Sequence, residues 1–266
     1  MSVNSADIPP DGKNAGPRIK ILHEPCAKEP FAVIVKPRGL PSAPLRQGDD
    51  SAYTQAARLY PILDEVQGRK AVEHGLLHRL DTDTEGLLLL AADQDFHDAM
   101  LAFQADGKFI KTYTADCQIE PDCTRRLGGF PANDAGIKLE TLLTCMHKYT
   151  VSSEFRFFGP GRKSVRPVTG GGNSYADRKA SGTVYSTRIL TEQTGPGTVR
   201  ATCVISAGFR HQVRCHLAWL GLPVRGDRIY NPVCGQGDFL HFWASGMEFP
   251  DPAGSGKLSF RMDVPA

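Results

Sequence analysis

No apolar stretch in this sequence approaches the ~20 consecutive apolar residues that a membrane-spanning helix requires. Its N-terminal end also lacks the apolar segment of a secretory signal peptide. The formal net charge is only +2, so bulk charge gives no evidence for a nucleic-acid partner. The composition therefore predicts an ordinary soluble globular protein, and we expect it to be cytoplasmic, monomeric and independent of membranes.

The sequence is also poor in metal-site and disulfide signals. Its seven cysteines are an odd number and include no Cys-x-x-Cys pair, which argues against a disulfide framework and a zinc site. His74 and His78 have the spacing of a metal pair, but no matching carboxylate ligand accompanies them. We therefore expect reduced thiols and no metal.

The pattern along the chain predicts more strands than helices. Runs of apolar or β-branched residues bounded by Gly or Pro predict strands at 31–35, 87–92, 109–119, 183–190, 199–205, 239–242 and 258–262. Helical spacing predicts helices at 52–66 (capped by Ser51), 96–103 and 211–220. Residues 139–146 fit either a strand or a helical turn, and 159–172 are rich in glycine and irregular in part. Without a repeating βαβ order, the best class is α+β, a mainly antiparallel mixed sheet flanked by helices and loops.

Residues 1–20 are polar and contain several prolines and glycines, which predicts a flexible N-terminal extension. Residues 21–266 are then expected to form one domain.

The most informative segment is LLHRLDTDTEGLLLLA, from Leu76 to Ala91. It places Asp81 behind Arg79 and in front of a turn-prone run and a buried strand. A lone Asp in such a place is most often a cap or a structural ion-pair partner. A carboxylate can serve as a nucleophile, however, when a cation keeps it ionised and a cleft excludes water. Arg210 and Arg214 are four residues apart on a predicted helix, share a face, and offer such a cation.

Several segments resemble motifs of the RluA-type pseudouridine synthase family. Residues 78–87 match H-R-L-D-x-x-T-x-G-L, and residues 208–218 resemble the run G-R-x-H-Q-[IV]-R-x-H-L-A. Shorter similarities follow the family's order: K-P-x-G-L-P at 36–41, K-x-Y-x-A at 111–115, L-G-x-P-[VI]-x-G-D-x-x-Y at 220–230 and L-H-F at 240–242. Each motif is weak to moderate alone, whereas the series is strong evidence.

The resemblance implies a pseudouridine synthase catalytic fold and assigns roles to individual residues. Asp81 would be the catalytic nucleophile, Tyr113 would stack on the target base and is a candidate for the C5 proton step, and Arg214 would form a salt bridge with Asp81. Arg79 would fill the space that a flipped base leaves. The remaining expected substrate-binding residues are His78, Lys111, Arg210, His211 and Gln212.

Two departures from the family pattern lie close to these residues. Glu85 stands where the family usually has Ser and adds a negative charge near Asp81. Phe209 stands where the family has Arg, with Arg210 one place later as a substitute for phosphate contact.

The resemblance implies an isomerase (an intramolecular transferase) that converts specific uridines of structured rRNA or tRNA to pseudouridine without a metal or an organic cofactor. Asp81 would either attack C1′ or remove a C2′ proton, and the sequence does not choose between these routes. Residues 155–179 carry six basic residues and one acid, interleaved with aromatics, which suits RNA contact. An N-terminal S4-type domain is not expected, since too few residues precede the first motif.

Two rival functions stay open. One is a catalytically inactive RNA-binding relative with the same fold. The other is a hydrolase or nuclease that uses Asp81 with His78 or His211, which would need a metal or a second carboxylate.

Overall fold

The computed structural model describes residues 16–46, 48–132, 147–170, 174–235, 237–254 and 256–265. The strands are β1 (Lys20–His23), β2 (Phe31–Lys36), β3 (Glu85–Ala91), β4 (Ile110–Gln118), β5 (His147–Phe158), β6 (Ser164–Val168), β7 (Tyr185–Gly195), β8 (Thr198–Ile205), β9 (Phe242–Pro250) and β10 (Lys257–Arg261). The α-helices are α1 (Ala52–Leu59), α2 (Gln94–Ala105), α3 (Cys123–Leu127), α4 (Ser174–Asp177) and α5 (Gln212–Trp219). The chain divides into two units: unit 1 comprises residues 1–109 and 243–266, and unit 2 comprises residues 110–242.

Unit 1 is built on strands in the order β1–β2–β3–β9–β10. All neighbours are antiparallel except β3 and β9, which run parallel. Strand β3 is buried along nearly its whole length, as its unbroken Leu run predicts. Its side chains pack into an aromatic core that includes Phe31, Phe96, Phe109 and Phe249. The loop that carries Asp81 directly precedes this rigid strand.

Unit 2 is an antiparallel sheet in the order β4–β8–β7–β5–β6. Helix α5 is buried from end to end. Its Cys215 and Ala218 join a core cluster with Phe155 and Tyr230. The sequence places Arg214 in the middle of this buried helix, where a charged side chain needs a partner.

The predicted α+β class with a mainly antiparallel mixed sheet is confirmed. The strands predicted at 31–35, 87–92, 109–119, 183–190 and 199–205 and the helices at 96–103 and 211–220 are present with small shifts at their ends. The alternatives for 139–146 lie outside the described residues.

The predicted helix at 52–66 is too long. Helix α1 begins as expected behind Ser51, whose hydroxyl accepts from the Thr54 amide while the Ser51 amide donates to the Thr54 hydroxyl. It ends at Leu59 because Pro61 disfavours the helical conformation for Tyr60 and lacks an amide N–H. A 3-10 helix, Pro61–Glu65, takes up the rest.

Other differences concern strands. The strand predicted at 239–242 begins only at Phe242 and continues to Pro250. Strands β5 and β6 were not predicted, and β6 falls within the glycine-rich stretch expected to be irregular. Most of the predicted N-terminal extension lies outside the described residues. At its end Ile19 is buried, and its amide donates to Gln55.

Candidate active site

The Asp81 loop is a tight turn tied to the segment that follows β2. The Thr84 amide donates to the Asp81 carbonyl at 3.0 Å, which closes the turn, and the Gly39 amide donates to the Thr82 carbonyl at 2.9 Å. Just before the turn, the Leu80 amide donates to the Ser42 hydroxyl, and that hydroxyl donates back to the Leu80 carbonyl. The backbone on both sides of the Asp81 side chain is therefore fixed.

Lys36 is the cation at the centre of this loop. It is completely buried, and its ammonium donates to the carbonyls of Pro37, Leu40 and Thr82 at 2.8–2.9 Å. Burial lowers the pKa of Lys36 to about 8, and the charges of Asp81 and neighbouring acids oppose this shift. At neutral pH Lys36 is thus mostly a cation. It joins the segment at 36–41 to the Asp81 loop. The motif at 36–41 contains Lys36 but predicts no role for it; the available signal was a Lys at the end of an apolar strand.

The glycine of the Asp81 motif is Gly86, and the structure shows why this position requires glycine. It pairs with Ala244 across the parallel contact of β3 and β9, and its φ is +141°. A Cβ at this position would lie 2.5–2.6 Å from atoms of Ala244, closer than any side chain tolerates. Only glycine therefore allows β3 to start beside β9 immediately after the Asp81 loop.

The extra charge of Glu85 has a partner nearby. Arg38 Nε lies 3.4 Å from a Glu85 carboxylate oxygen, and the Arg38 guanidinium also lies over the Trp243 ring at 5.2 Å. Burial lowers the pKa of Arg38, and Glu85 opposes that shift. The departure from the family pattern at Glu85 is therefore compensated by an arginine of unit 1.

His78 and Arg79 point to different surroundings. His78 Nε2 accepts from the Leu89 amide at 3.3 Å, and its ring packs edge-on against Phe109 at 5.3 Å. Arg79 is 60% exposed and donates to Glu73 at 3.1 Å. His78 is thus held by the core, whereas Arg79 is available to an incoming molecule once its surface ion pair opens.

Arg214 in unit 2 is held by Asp227. Its Nε and Nη2 each donate to one Asp227 carboxylate oxygen at 2.7 Å, and both side chains are buried. Such a two-point pair fixes the plane of the guanidinium as well as its position. Asp227 stands in the G-D-x-x-Y segment, but the sequence alone predicts no role for it.

His211, which precedes α5, and Gln212, its first residue, are also fixed. His211 has a left-handed backbone (φ +57°), and its Nδ1 lies 3.1 Å from the Tyr230 hydroxyl. Gln212 is only 2% exposed, and its amide donates to the Ser186 carbonyl and the Thr187 hydroxyl. Gln212 therefore joins α5 to β7, which favours a positioning role over direct contact with a substrate.

Tyr113 and Lys111 extend from β4. The Tyr113 ring is buried and stacks on Phe242 with centroids 5.1 Å apart and an interplanar angle of 5°. Burial lowers the pKa of Lys111 to about 8. Lys111 Nζ is 3.8 Å from the point that a Gly208 Cβ would occupy, so it lies close to the segment leading into α5.

Phe209, the second departure, is partly buried and packs against the core of unit 2. Its ring stacks on Phe155 at 5.1 Å and packs against Tyr185 at 5.3 Å. It therefore fills an apolar cluster where the family pattern has a cation. Arg210 is exposed and lies with its guanidinium 3.5 Å from the carbonyls of Arg162 and Lys163.

Two parts of the predicted basic stretch are corrected. Arg166 is buried and donates to the carbonyls of Leu127, Gly128 and Val165, so it supports the fold rather than a phosphate. Phe155 is buried and cannot stack on a base. The exposed cations of this part of unit 2 are Arg162, Lys163, Arg178, Lys179 and Arg210.

The expected site residues are divided between the units. Asp81, Arg79 and His78 lie in unit 1, and the other predicted site residues lie in unit 2. The meeting of Asp81 with Arg214 and Tyr113 stays a prediction. Among the described residues no cluster of three or more His, Cys, Asp or Glu could hold a metal ion, and no helix there could span a membrane.

Comparison with known proteins identifies the family. Residues 30–219 match the profile of the family described as RNA pseudouridylate synthase. The chain belongs to the RNA pseudouridylate synthase family. This match includes the Asp81 loop and the whole of α5, so both motif segments lie within it.

Named relatives agree with the RluA-type resemblance. The mitochondrial pseudouridylate synthase RPUSD4 of Mus musculus is 27% identical over 80% of this chain and 51% of its own length. RPUSD4 of Xenopus tropicalis is 30% identical over 77% of this chain and 59% of its own length. The dual-specificity RNA pseudouridine synthase RluA of Escherichia coli K12 is 26% identical over 74% of this chain and 72% of its own length. The chain thus spans about half the length of the RPUSD4 proteins.

Solved structures support the fold. Human RNA pseudouridylate synthase domain containing 4 has a TM-score of 0.58 with 21% identity, covering 92% of this chain and 88% of that chain. Human RNA pseudouridylate synthase domain containing 1 has a TM-score of 0.61 with 15% identity, covering 95% of this chain and 86% of that chain. The pseudouridine synthase fold expected from the sequence is confirmed.

Proposed function

We propose that this protein isomerises specific uridines in structured RNA to pseudouridine. The observation that carries the proposal is the family match across residues 30–219, which contains an intact Asp81 motif on a loop fixed by unit 1. The named relatives are RNA pseudouridine synthases, which supports the same reaction class.

The chemistry requires no net oxidation or reduction. The bond between C1′ and N1 of the uridine breaks, a bond between C1′ and C5 forms, C5 loses a proton and N1 gains one. The uracil must leave the stack of the RNA before either bond is accessible, as in other base-modifying enzymes. A carboxylate, a cation and a general base are sufficient for this sequence of steps.

Asp81 is the proposed nucleophile or C2′ base, and Arg214 is its proposed charge partner. An opposite charge favours the ionised form of a carboxylate, which is the form that either route requires. Tyr113, stacked on Phe242, would present its other face and its hydroxyl to the base. Arg79 would exchange its surface pair with Glu73 for contact with the RNA.

The exposed cations around the β5–β6 turn would contact the RNA backbone. Arg162 lies over the exposed Phe157 ring at 4.7 Å, so this turn offers both a charge and an aromatic surface. Phosphate contacts supply most of the affinity of such proteins and make it fall as salt rises. We propose rRNA or tRNA as the substrate. The cytoplasmic location expected from the sequence stays a prediction, and some relatives are named as mitochondrial.

Tritium release tests the reaction directly. RNA transcribed with uridine tritiated at C5 loses that label to water when C5 forms its bond to C1′. Incubation of the protein with labelled rRNA and tRNA should release tritium, and digestion of the product should yield pseudouridine. RNA that is bound without tritium release would instead identify an inactive RNA-binding relative.

A further inference from the structure

Among the acids that the structure describes, Asp227 is the most completely buried one that the proposed chemistry does not use. Its relative exposure is 0%. Its carboxylate accepts four hydrogen bonds: two from Arg214 at 2.7 Å, one from the Ile229 amide at 2.9 Å and one from the Tyr230 amide at 3.1 Å. A carboxylate offers about four acceptor sites. Asp227 is thus saturated and cannot rotate without breaking several bonds.

The pairing fixes one edge of the Arg214 guanidinium. Because Asp227 binds the Nε and Nη2 side, the direction of the Nη1 side is determined by where the Asp227 carboxylate stands. The Tyr230 ring lies beside the same guanidinium, 5.4 Å from its centre. Arg214 is therefore held in its plane by the acid and on its face by the aromatic ring.

Tyr230 also helps to hold His211 in place. Its hydroxyl accepts from the Val165 amide at 2.9 Å and lies 3.1 Å from His211 Nδ1. Burial raises the pKa of Tyr230, which keeps the phenol neutral. One short segment, from Asp227 to Tyr230, thus orients both Arg214 and His211.

Stability alone is a weak reason for such a pair. Burying two charges costs a desolvation penalty, and apolar replacements of buried pairs are often neutral or stabilising. Orientation of Arg214 is a function that an apolar pair could not supply.

We propose that Asp227 is a positioning residue, which acts through Arg214 to hold its guanidinium in the orientation that pseudouridine formation requires. This inference rests on the proposed function. Asp227 has no contact with the RNA in this account; its contribution is to the rate of the chemical step and not to the affinity for the RNA.

The decisive variant is Asp227→Asn, which keeps an oxygen for the two backbone amides but loses the charge that holds Arg214. We expect the single-turnover rate to fall by about 100-fold, the order expected for a misplaced active-site group. The dissociation constant for RNA should stay within about 3-fold, since the exposed cations are unchanged. Because Arg214 would no longer favour ionised Asp81 as strongly, the acidic limb of the rate–pH profile should move to higher pH.

Asp122→Asn is the matched control, because Asp122 pairs with Arg125 at 2.9 Å in the same unit but on the surface. It should leave the rate unchanged. Asp227→Glu is the second variant: it keeps the charge and thus favours folding but moves the carboxylate by one methylene, and we expect about a 10-fold loss of rate on the same reasoning.

The outcomes distinguish a failure of the proposed function from a failure of the proposed role of Asp227. An inactive parent protein on every RNA tested would contradict the proposed function. An active parent with a folded Asp227→Asn or Asp227→Glu variant of equal rate would overturn the role of Asp227. A loss that is equal at every pH, or that follows the folded fraction in thermal melts, would likewise overturn it in favour of a structural role.

Discussion

Replacing Lys36 with Met tests whether the hydrogen bonds of its ammonium fix the Asp81 loop. The change keeps a long side chain but removes the ammonium that donates to three carbonyls at 2.8–2.9 Å. The Leu40 carbonyl loses a buried contact, and the Thr82 carbonyl keeps only the Gly39 amide. The Asp81 loop should therefore lose the hydrogen bond that Lys36 gives it from the segment at 36–41.

The magnitude follows from the contacts. A hydrogen bond to a charged group contributes about 1.5–3 kcal/mol, and the new methionine recovers part of the loss because it needs no desolvation of a charge. We expect the free energy of unfolding to fall by about 3 kcal/mol. Lys257→Met is the control, since Lys257 forms a surface pair with Glu248 at 2.8 Å and a pair of this kind is worth about 1 kcal/mol or less.

Urea unfolding at pH 7, followed by circular dichroism, measures both variants. Pseudouridine formation by the folded fraction of Lys36→Met should also fall, because the loop carrying Asp81 is less fixed. Equal unfolding midpoints for the Lys36 and Lys257 variants, with unchanged activity in both, would refute the role of the Lys36 hydrogen bonds in fixing the Asp81 loop.

Three further predictions concern pH and RNA affinity. Burial lowers the pKa of Lys36 from its ordinary value of 10.5 to about 8 in the folded protein, so the unfolded chain binds more protons between those two values. The parent should therefore gain about 1 kcal/mol of stability over Lys36→Met between pH 7 and pH 9 in urea titrations. Burial lowers the pKa of His216 from 6.5 to about 3, so the unfolded chain again binds more protons between these values. The free energy of unfolding of the parent should therefore fall by about 2 kcal/mol between pH 7 and pH 5. The His216→Leu variant should lack this pH dependence. Glu73→Gln removes the carboxylate that pairs with the exposed Arg79 side chain. It should tighten RNA binding by about 2–5-fold in low-salt fluorescence titrations, since an ion pair with an exposed partner is worth at most about 1 kcal/mol. An unchanged dissociation constant would show that the pair does not compete with RNA.

Local patterns predicted the elements whose stability is local. The Leu run of β3 and the Ser51 cap of α1 are recognisable without knowledge of neighbours. Strand β5 was missed because the buried Ser153 interrupts the apolar alternation between Val151 and Phe155. Its stability also comes from pairing with β7 across a long sequence separation. The buried Gly246 and Ser245 likewise obscured β9.

The catalytic roles at the candidate site rest on motif resemblance and stay predictions. Motif resemblance named Asp81, Tyr113 and Arg214, because those residue types stand at fixed spacings. It could not show that Lys36 and Asp227 hold two of the segments involved, since these contacts join residues far apart in sequence or separated by a turn. Substrate binding by Gln212 stays a prediction; its side-chain amide donates to the Ser186 carbonyl and the Thr187 hydroxyl within unit 2.

The measurement that tests the central claim most directly compares Asp81→Asn with Asp83→Asn in the tritium-release assay. Both changes remove one charge from the same turn, and Asp83 is exposed. The account predicts that Asp81→Asn abolishes tritium release and pseudouridine formation while folding and RNA binding are retained, and that Asp83→Asn keeps most of the parent rate. Pseudouridine formation by Asp81→Asn at the parent rate would contradict the assignment of Asp81 as the reacting carboxylate.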